Sequence, residues 1–231
     1  MAQTVTVYHG SQHIISEPTL GKGNPRNDYG TGFYCTYSIE LAKEWACTEE
    51  GSGYASQYIL DLTSLTVMNL SGPDYNILNW LAVLLDNRIF RISNDVAAAG
   101  KDYLLERFLP RTSSFDIITG YRADDSYFSF ANAFLNNTLS LAQLEKSMYL
   151  GKLGEQIVLK SGKAFGQIIY SGYHPADGNI YYPMKVSRDL QARADFRKEL
   201  SIARVEDSIY LMDILRGRWG NDDVRIRRNL P

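Results

Sequence analysis

Little in this chain can build a covalent or metallic framework. Its 231 residues include two cysteines, Cys35 and Cys47, and three histidines. Two cysteines are too few for a disulfide scaffold, and they suit a reducing, cytoplasmic compartment. With the histidines they show no zinc-ligand spacing, so no metal site is expected. The sequence holds no apolar run of about eighteen residues, hence no candidate transmembrane helix and no expected membrane role. The start, Met1-Ala2-Gln3-Thr4, lacks a basic region leading into an apolar stretch, so no signal peptide is expected; delivery by a dedicated secretion machine stays compatible with that. Excess charge is missing too. A formal net charge of -2 gives no general attraction to nucleic acid or to anionic membrane. Internal repeats and low-complexity segments are absent.

What is present fits a folded enzyme-sized domain. Hydrophobic residues make up 45% and charged residues 22%, enough for a core and too apolar for wholesale disorder. The length suits one large domain or a domain with an extension. Residues 4–8 alternate as a strand, and 11–31 are rich in Ser, Pro, Gly, Asn and Asp, a long loop of the kind that wraps a site. Ser38 is a plausible cap for a helix carrying Ile39, Ala42, Trp45 and Ala46 on one face, ended by Gly51 and Gly53. Residues 58–62 and 65–68 read as two short strands around a turn. Helices follow at 76–85, with Asp74 as cap, and at 95–108, stopped by Pro110. A strand over 115–119 precedes helices at about 126–136 and 140–150, the second capped by Ser140. Strands are expected at 156–160 and 167–170, then charged helix formers over 185–200 and a short helix at 209–215. Short strands around helical insertions make this an α+β chain.

Two stretches stand out. Val7-Tyr8-His9-Gly10-Ser11 ends a β-rich run with a histidine and a glycine at its tip. Asp28-Tyr29-Gly30-Thr31-Gly32-Phe33-Tyr34-Cys35-Thr36 places two glycines among aromatics, where the backbone can bend tightly or let a ligand approach. Tyrosine, present 16 times, brings apolar area and a hydroxyl, which suits a ligand cleft as well as a core.

Strand-His-Gly, then Gly-x-Gly-Phe-Tyr, then a helix, then Glu before an apolar strand resembles the core of ADP-ribosyltransferases of the diphtheria-toxin and poly(ADP-ribose) polymerase branch, with its His…Tyr…Glu signature. That likeness covers 5–60 and 150–171. The chain also looks like an uncharacterised bacterial family of ADP-ribosyltransferase-like proteins with a Tyr-His-Gly start and an Ala-Asp-Asp element. The resemblance implies a split mixed β-sheet core over 1–171, a helical insertion at about 74–150, and a charged helical extension over 172–231 packed on the same domain.

It also implies NAD as substrate, and it implies roles. His9 would bond a ribose hydroxyl, the Gly10 backbone would hold the nicotinamide carboxamide, and Ser11 and Gly32 would line the pocket. Tyr34 and Trp45 would sandwich the nicotinamide ring. Ala42 stands where the family often has a carboxamide-binding serine. Glu155 would be the catalytic carboxylate, with His9 and Tyr34 completing the signature, and Gln156 is the rival position. Regular strand geometry lets only one of these two neighbours face a cleft. The chemistry suits these types: breaking the nicotinamide–ribose bond makes an oxocarbenium-like species that a carboxylate stabilises, and π faces hold the cationic nicotinamide. The expected activity is mono-ADP-ribosyl transfer to an unknown acceptor, as a bacterial toxin or defence effector with an antitoxin or immunity protein as candidate partner.

Other features compete. Asp124 and Asp125 suit a turn capping the helix from Ser126, or acid–base work, or acceptor binding. Cys35 reads as structural, lacking a histidine at convincing spacing. Lys185, Arg188, Arg193, Arg197 and Lys198 interleave with Asp189, Asp195 and Glu199, the pattern of a solvated helix. With Arg225, Arg227 and Arg228 they could instead form a basic face for nucleic acid or for NAD phosphates. The rival functions are a catalytically inactive NAD or ADP-ribose binding module and a nucleic-acid-interacting protein.

Overall fold

A computed structural model describes residues 3–123, 125–150, 154–201 and 208–227. In chain order the elements are β1 (Thr4–Ser11), β2 (Phe33–Cys35), α1 (Ile39–Ala46), β3 (Gly53–Asp61), β4 (Val67–Asn69), α2 (Ile77–Asn87), α3 (Asp95–Arg107), β5 (Ile117–Tyr121), α4 (Asp125–Leu135), α5 (Leu141–Ser147), β6 (Glu155–Leu159), α6 (Gly162–Phe165), β7 (Ile168–Ala176), α7 (Gly178–Ser201), α8 (Leu211–Gly217) and α9 (Val224–Arg227). The fold is α+β. One antiparallel sheet has the order β1-β3-β7, and the other has the order β2-β6-β5-β4, with only β4 and β5 parallel. A single bridge between Tyr8 and Thr36 links the two, through a hydrogen bond in each direction at 2.8 and 2.9 Å.

Strand alternation sorts the core of the second sheet. Ile157 and Leu159 of β6 join Val7, Phe33, Cys35, Tyr58, Leu60 and Ile117 between the sheets. Val158, on the opposite face, meets a larger cluster built by α2 to α5 around Trp80, Phe108, Phe130 and Phe134. Both faces of this sheet are covered, which is why its strands are mostly apolar. Cys35 lies in that inner layer at 0% exposure, and burial pushes its thiol pKa up, which keeps it unreactive.

Several expectations hold. Ser38 caps α1 by accepting from the Leu41 amide, and Ser140 caps α5 in a reciprocal pair with Gln143. Others are corrected. β1 does not stop at Tyr8: Gly10 and Ser11 pair with Ala55 and Tyr54 of β3, so His9 sits inside a strand and not at its tip. A neighbouring strand supplies the pairing that local propensity did not predict. β3 and β4 are not a hairpin but belong to different sheets. Asn76, not Asp74, caps α2, because its side chain reaches the Leu78 and Asn79 amides while Asn79 bonds back. The strand expected at 115–119 is β5, shifted to Ile117–Tyr121, and it lies between β6 and β4. Residues beyond 171 complete β7, and Phe196, Leu211, Ile214 and Ile226 lie in the large cluster. Among the described residues no helix is long and apolar enough to cross a membrane.

The contact that seats α1 on the first sheet is close. A Cβ on Gly10 would lie 1.9 Å from the backbone oxygen of Ala42. Gly10 and the buried Ala42 together let helix and strand touch. Gly10→Ala should therefore destabilise the fold by about 1–3 kcal/mol or more, since neither backbone can give way cheaply. Urea unfolding measures this, and parent-like stability would mean that α1 does not pack so tightly.

Candidate functional site

The site is built where the two sheets part. β2 uses one edge to pair with β6, and its other edge meets β1 only at the Tyr8–Thr36 bridge. Tyr34, two residues before Thr36, turns its carbonyl toward that same edge, where the β1 backbone no longer follows. His9 Nδ1 takes this carbonyl at 2.7 Å. A carbonyl only accepts, so Nδ1 carries the hydrogen and Nε2 is left as an acceptor. Burial pushes the His9 pKa down, outweighing that hydrogen bond, so the ring is neutral at pH 7. It stacks on Phe33 at 4.5 Å between centroids. His9 lines a cavity of about 370 Å³ with Gly32, Phe33, Tyr34 and the loop residues Ile15 and Asn27.

The Gly-rich loop is fixed at several points. Gly30 has φ 71°, a left-handed conformation in which glycine is at ease. The Tyr34 hydroxyl donates to the Gly30 carbonyl at 2.7 Å and accepts the Tyr29 amide at 3.0 Å. Burial raises the Tyr34 pKa, so this hydroxyl keeps its proton. Lys160 Nζ donates to the carbonyls of Tyr29 and Thr31. A Cβ on Gly32 would lie 2.6 Å from Val158 Cγ1 and 2.9 Å from the Leu159 oxygen, so that glycine sets the approach of β2 to β6.

A second cavity, of about 200 Å³, adjoins the first and shares Tyr34 and Asn27 with it. Its walls also include Asp28, Trp45, Arg88, Arg122 and Gln156. The Arg122 guanidinium lies over the Trp45 ring, 4.8 Å from its centroid. The Trp45 Nε1 is buried without a hydrogen-bond partner. Asp28 is 4% exposed; its Oδ2 accepts from the Ala123 amide and from Gln156 Nε2, each at 2.9 Å, and its Oδ1 lies 3.3 Å from Arg88 Nη1. Burial pushes the Asp28 carboxyl pKa up, against the pull of the Ala123 bond, Arg88 and Gln156.

Arg88, Arg122 and Ala123 also border a third cavity, of about 530 Å³, whose far wall is α7. Its lining carries the cations Arg88, Arg122, Lys185, Arg188 and Arg193 against the acids Glu44 and Asp189. Arg188 grips Glu44 through two bonds, at 3.0 and 2.8 Å, and so ties α7 to α1. Glu44 is 2% exposed and depends on this partner. Along the same helix Arg193 pairs with Asp189 and Lys198 with Asp195, while Lys185 donates to the Cys47 carbonyl.

The structure thus brings Tyr34, Trp45 and Gln156 onto one cavity and places His9 and Gly32 on the adjoining one. Three expected site residues are elsewhere. Glu155 is exposed and accepts from the Ser71 hydroxyl, on the strand face opposite Gln156, so the expected catalytic glutamate is outside the cleft and the rival position is inside it. Ser11 turns its hydroxyl to the His13 carbonyl, and Gly10 serves helix packing; neither lines these cavities. Asp124 is outside the described residues, and Asp125 opens α4. In the basic tail, Arg225 pairs with Asp223 and stacks on Trp219. Sequence reasoning missed Asp28, Arg88 and Arg122. Asp28 stands at the head of the Gly-rich stretch, but the two arginines have no local pattern that marks them.

Tyr34→Phe keeps the ring and deletes the hydroxyl that closes the loop. The Tyr29 amide loses its partner, so stability should fall by about 1–3 kcal/mol. Urea unfolding, with amide exchange at Tyr29, reads this; an unchanged midpoint would show that water replaces the hydroxyl.

No curated protein and no solved structure matches the chain. Residues 5–170 match one family, described as "Protein of unknown function (DUF3990)", and that span runs from β1 into β7, including every wall of the cleft except α7. The chain belongs to the DUF3990 family.

Proposed function

We propose that the protein is a mono-ADP-ribosyltransferase that takes NAD, breaks its nicotinamide–ribose bond and passes ADP-ribose to a separate acceptor. The observation that carries this reading is the meeting of Tyr34 and Trp45 on one cavity, next to a His9 cavity on one side and a cationic cavity on the other. Bonded nicotinamide is a flat cation. The Trp45 face already holds a flat cation, the Arg122 guanidinium, and an entering nicotinamide would replace it like for like. Arg88, Arg122 and Lys185 beyond it supply a positive field suited to a diphosphate.

The second reading is an NAD or ADP-ribose binding module without turnover. It is favoured by one observation: a neutral amide, Gln156, occupies the cleft position expected of a glutamate. Calorimetric titration with NAD tests what both readings share, and release of nicotinamide separates them. Trp45→Ala should weaken NAD binding by about 1–3 kcal/mol, the worth of one partly buried aromatic face. Unchanged affinity in a folded Trp45→Ala protein would remove the stacking claim, and absence of binding to the parent would remove both readings.

A further inference from the structure

We propose that Asp28 is the catalytic carboxylate of this cleft and that Gln156 is its positioning residue. The assignment rests on the ADP-ribosyl transfer reading. Among the described residues, Asp28 is the one acidic side chain on the cavity that Tyr34 and Trp45 share. Its two oxygens are unlike. Oδ2 accepts from the Ala123 amide and the Gln156 amide, whereas Oδ1 makes no hydrogen bond and lies 3.3 Å from the Arg88 guanidinium. One oxygen anchors the group and the other keeps lone pairs for a ligand. A buried carboxylate with an unfilled oxygen is costly to a fold, and such cost is commonly met at functional sites. Its loop is held by Lys160 and by the Tyr34 hydroxyl, so the group is preorganised.

The chemistry needs such a charge. The bond between ribose C1′ and the nicotinamide nitrogen breaks, and both electrons leave with nitrogen, which discharges the pyridinium. Positive charge passes to C1′ and the ring oxygen of the ribose. The Asp28 carboxylate stabilises it, directly or through the ribose 2′-hydroxyl, with most effect in a partly dry cleft. A nucleophile then bonds to C1′ and releases its proton to solvent; water serves where no acceptor is present. No oxidant or reductant is required. Glu155, on the opposite face of β6 and engaged by Ser71, takes no part.

The test measures nicotinamide release from NAD, and NAD affinity by calorimetry, for the parent, Asp28→Asn, Gln156→Leu and Glu155→Gln. Asp28→Asn should lower kcat by about a hundredfold or more while affinity changes little. Gln156→Leu, which removes one of the two Oδ2 donors, should lower kcat by about tenfold with KM nearly kept. Glu155→Gln should behave as the parent. Should Asp28→Asn fail to fold, Gln156→Leu carries the test alone, and parent-like kcat in that variant overturns the assignment. So does parent-like turnover in Asp28→Asn, or a loss confined to Glu155→Gln; in those cases the ADP-ribosyl transfer reading survives. A parent that neither binds nor consumes NAD brings down that reading, and Asp28 with it. A parent that binds NAD without consuming it leaves the binding module and removes the catalytic assignment.

Discussion

The cleft depends on a ladder that is allowed to run for one step only. Tyr8 and Thr36 exchange two backbone hydrogen bonds, and beyond them β1 and β2 separate. A carbonyl left open at such an edge must find another donor. His9 provides it from a side chain, holding the Tyr34 carbonyl at 2.7 Å. One imidazole nitrogen thereby closes the sheet edge and fixes the tautomer, and the ring faces a cavity instead of a neighbouring strand. The two sheets can then diverge without an unsatisfied backbone group, and the space between them becomes the first part of the cleft.

Charge is handled in the same way. Among the described residues two carboxylates are buried beside the cleft, and each has a guanidinium: Asp28 faces Arg88, and Glu44 is clasped by Arg188. Removing either cation would leave an uncompensated buried charge, which is far more costly than the pair is stabilising. The consequence for architecture is that α7, distant in sequence, is locked onto α1 by Glu44 and so becomes a wall of the cationic cavity. Arg88 is held a second time, over the Phe128 ring at 4.5 Å, which orients it toward Asp28. Cations on this wall are thus placed by acids and aromatic faces, while the cavity lining as a whole stays positive.

The aromatic wall and the charged wall meet at Trp45. Its ring faces the Arg122 guanidinium, and its buried indole nitrogen has no hydrogen-bond partner. The wall thus combines a π face with adjacent cations.

The α+β class, the caps Ser38 and Ser140 and the long loop before β2 were all determined by the sequence alone. These follow from short-range rules: a hydroxyl reaches an amide three residues on, helical faces repeat, and glycine permits a turn. Strand alternation likewise showed that Glu155 and Gln156 must point to opposite faces. Which of the two meets the cleft was decided by tertiary structure, because it depends on the register of β6 against β2 and β5. Tertiary structure also decided that β1 runs on through His9 to Ser11, since β3 supplies the partners, and that β3 and β4 part into separate sheets. Asp28, Arg88, Arg122 and Gln156 are far apart in the chain and share no local period. Only folding brings them together, because a buried carboxylate is stable where donors converge on it, and convergence is a property of packing.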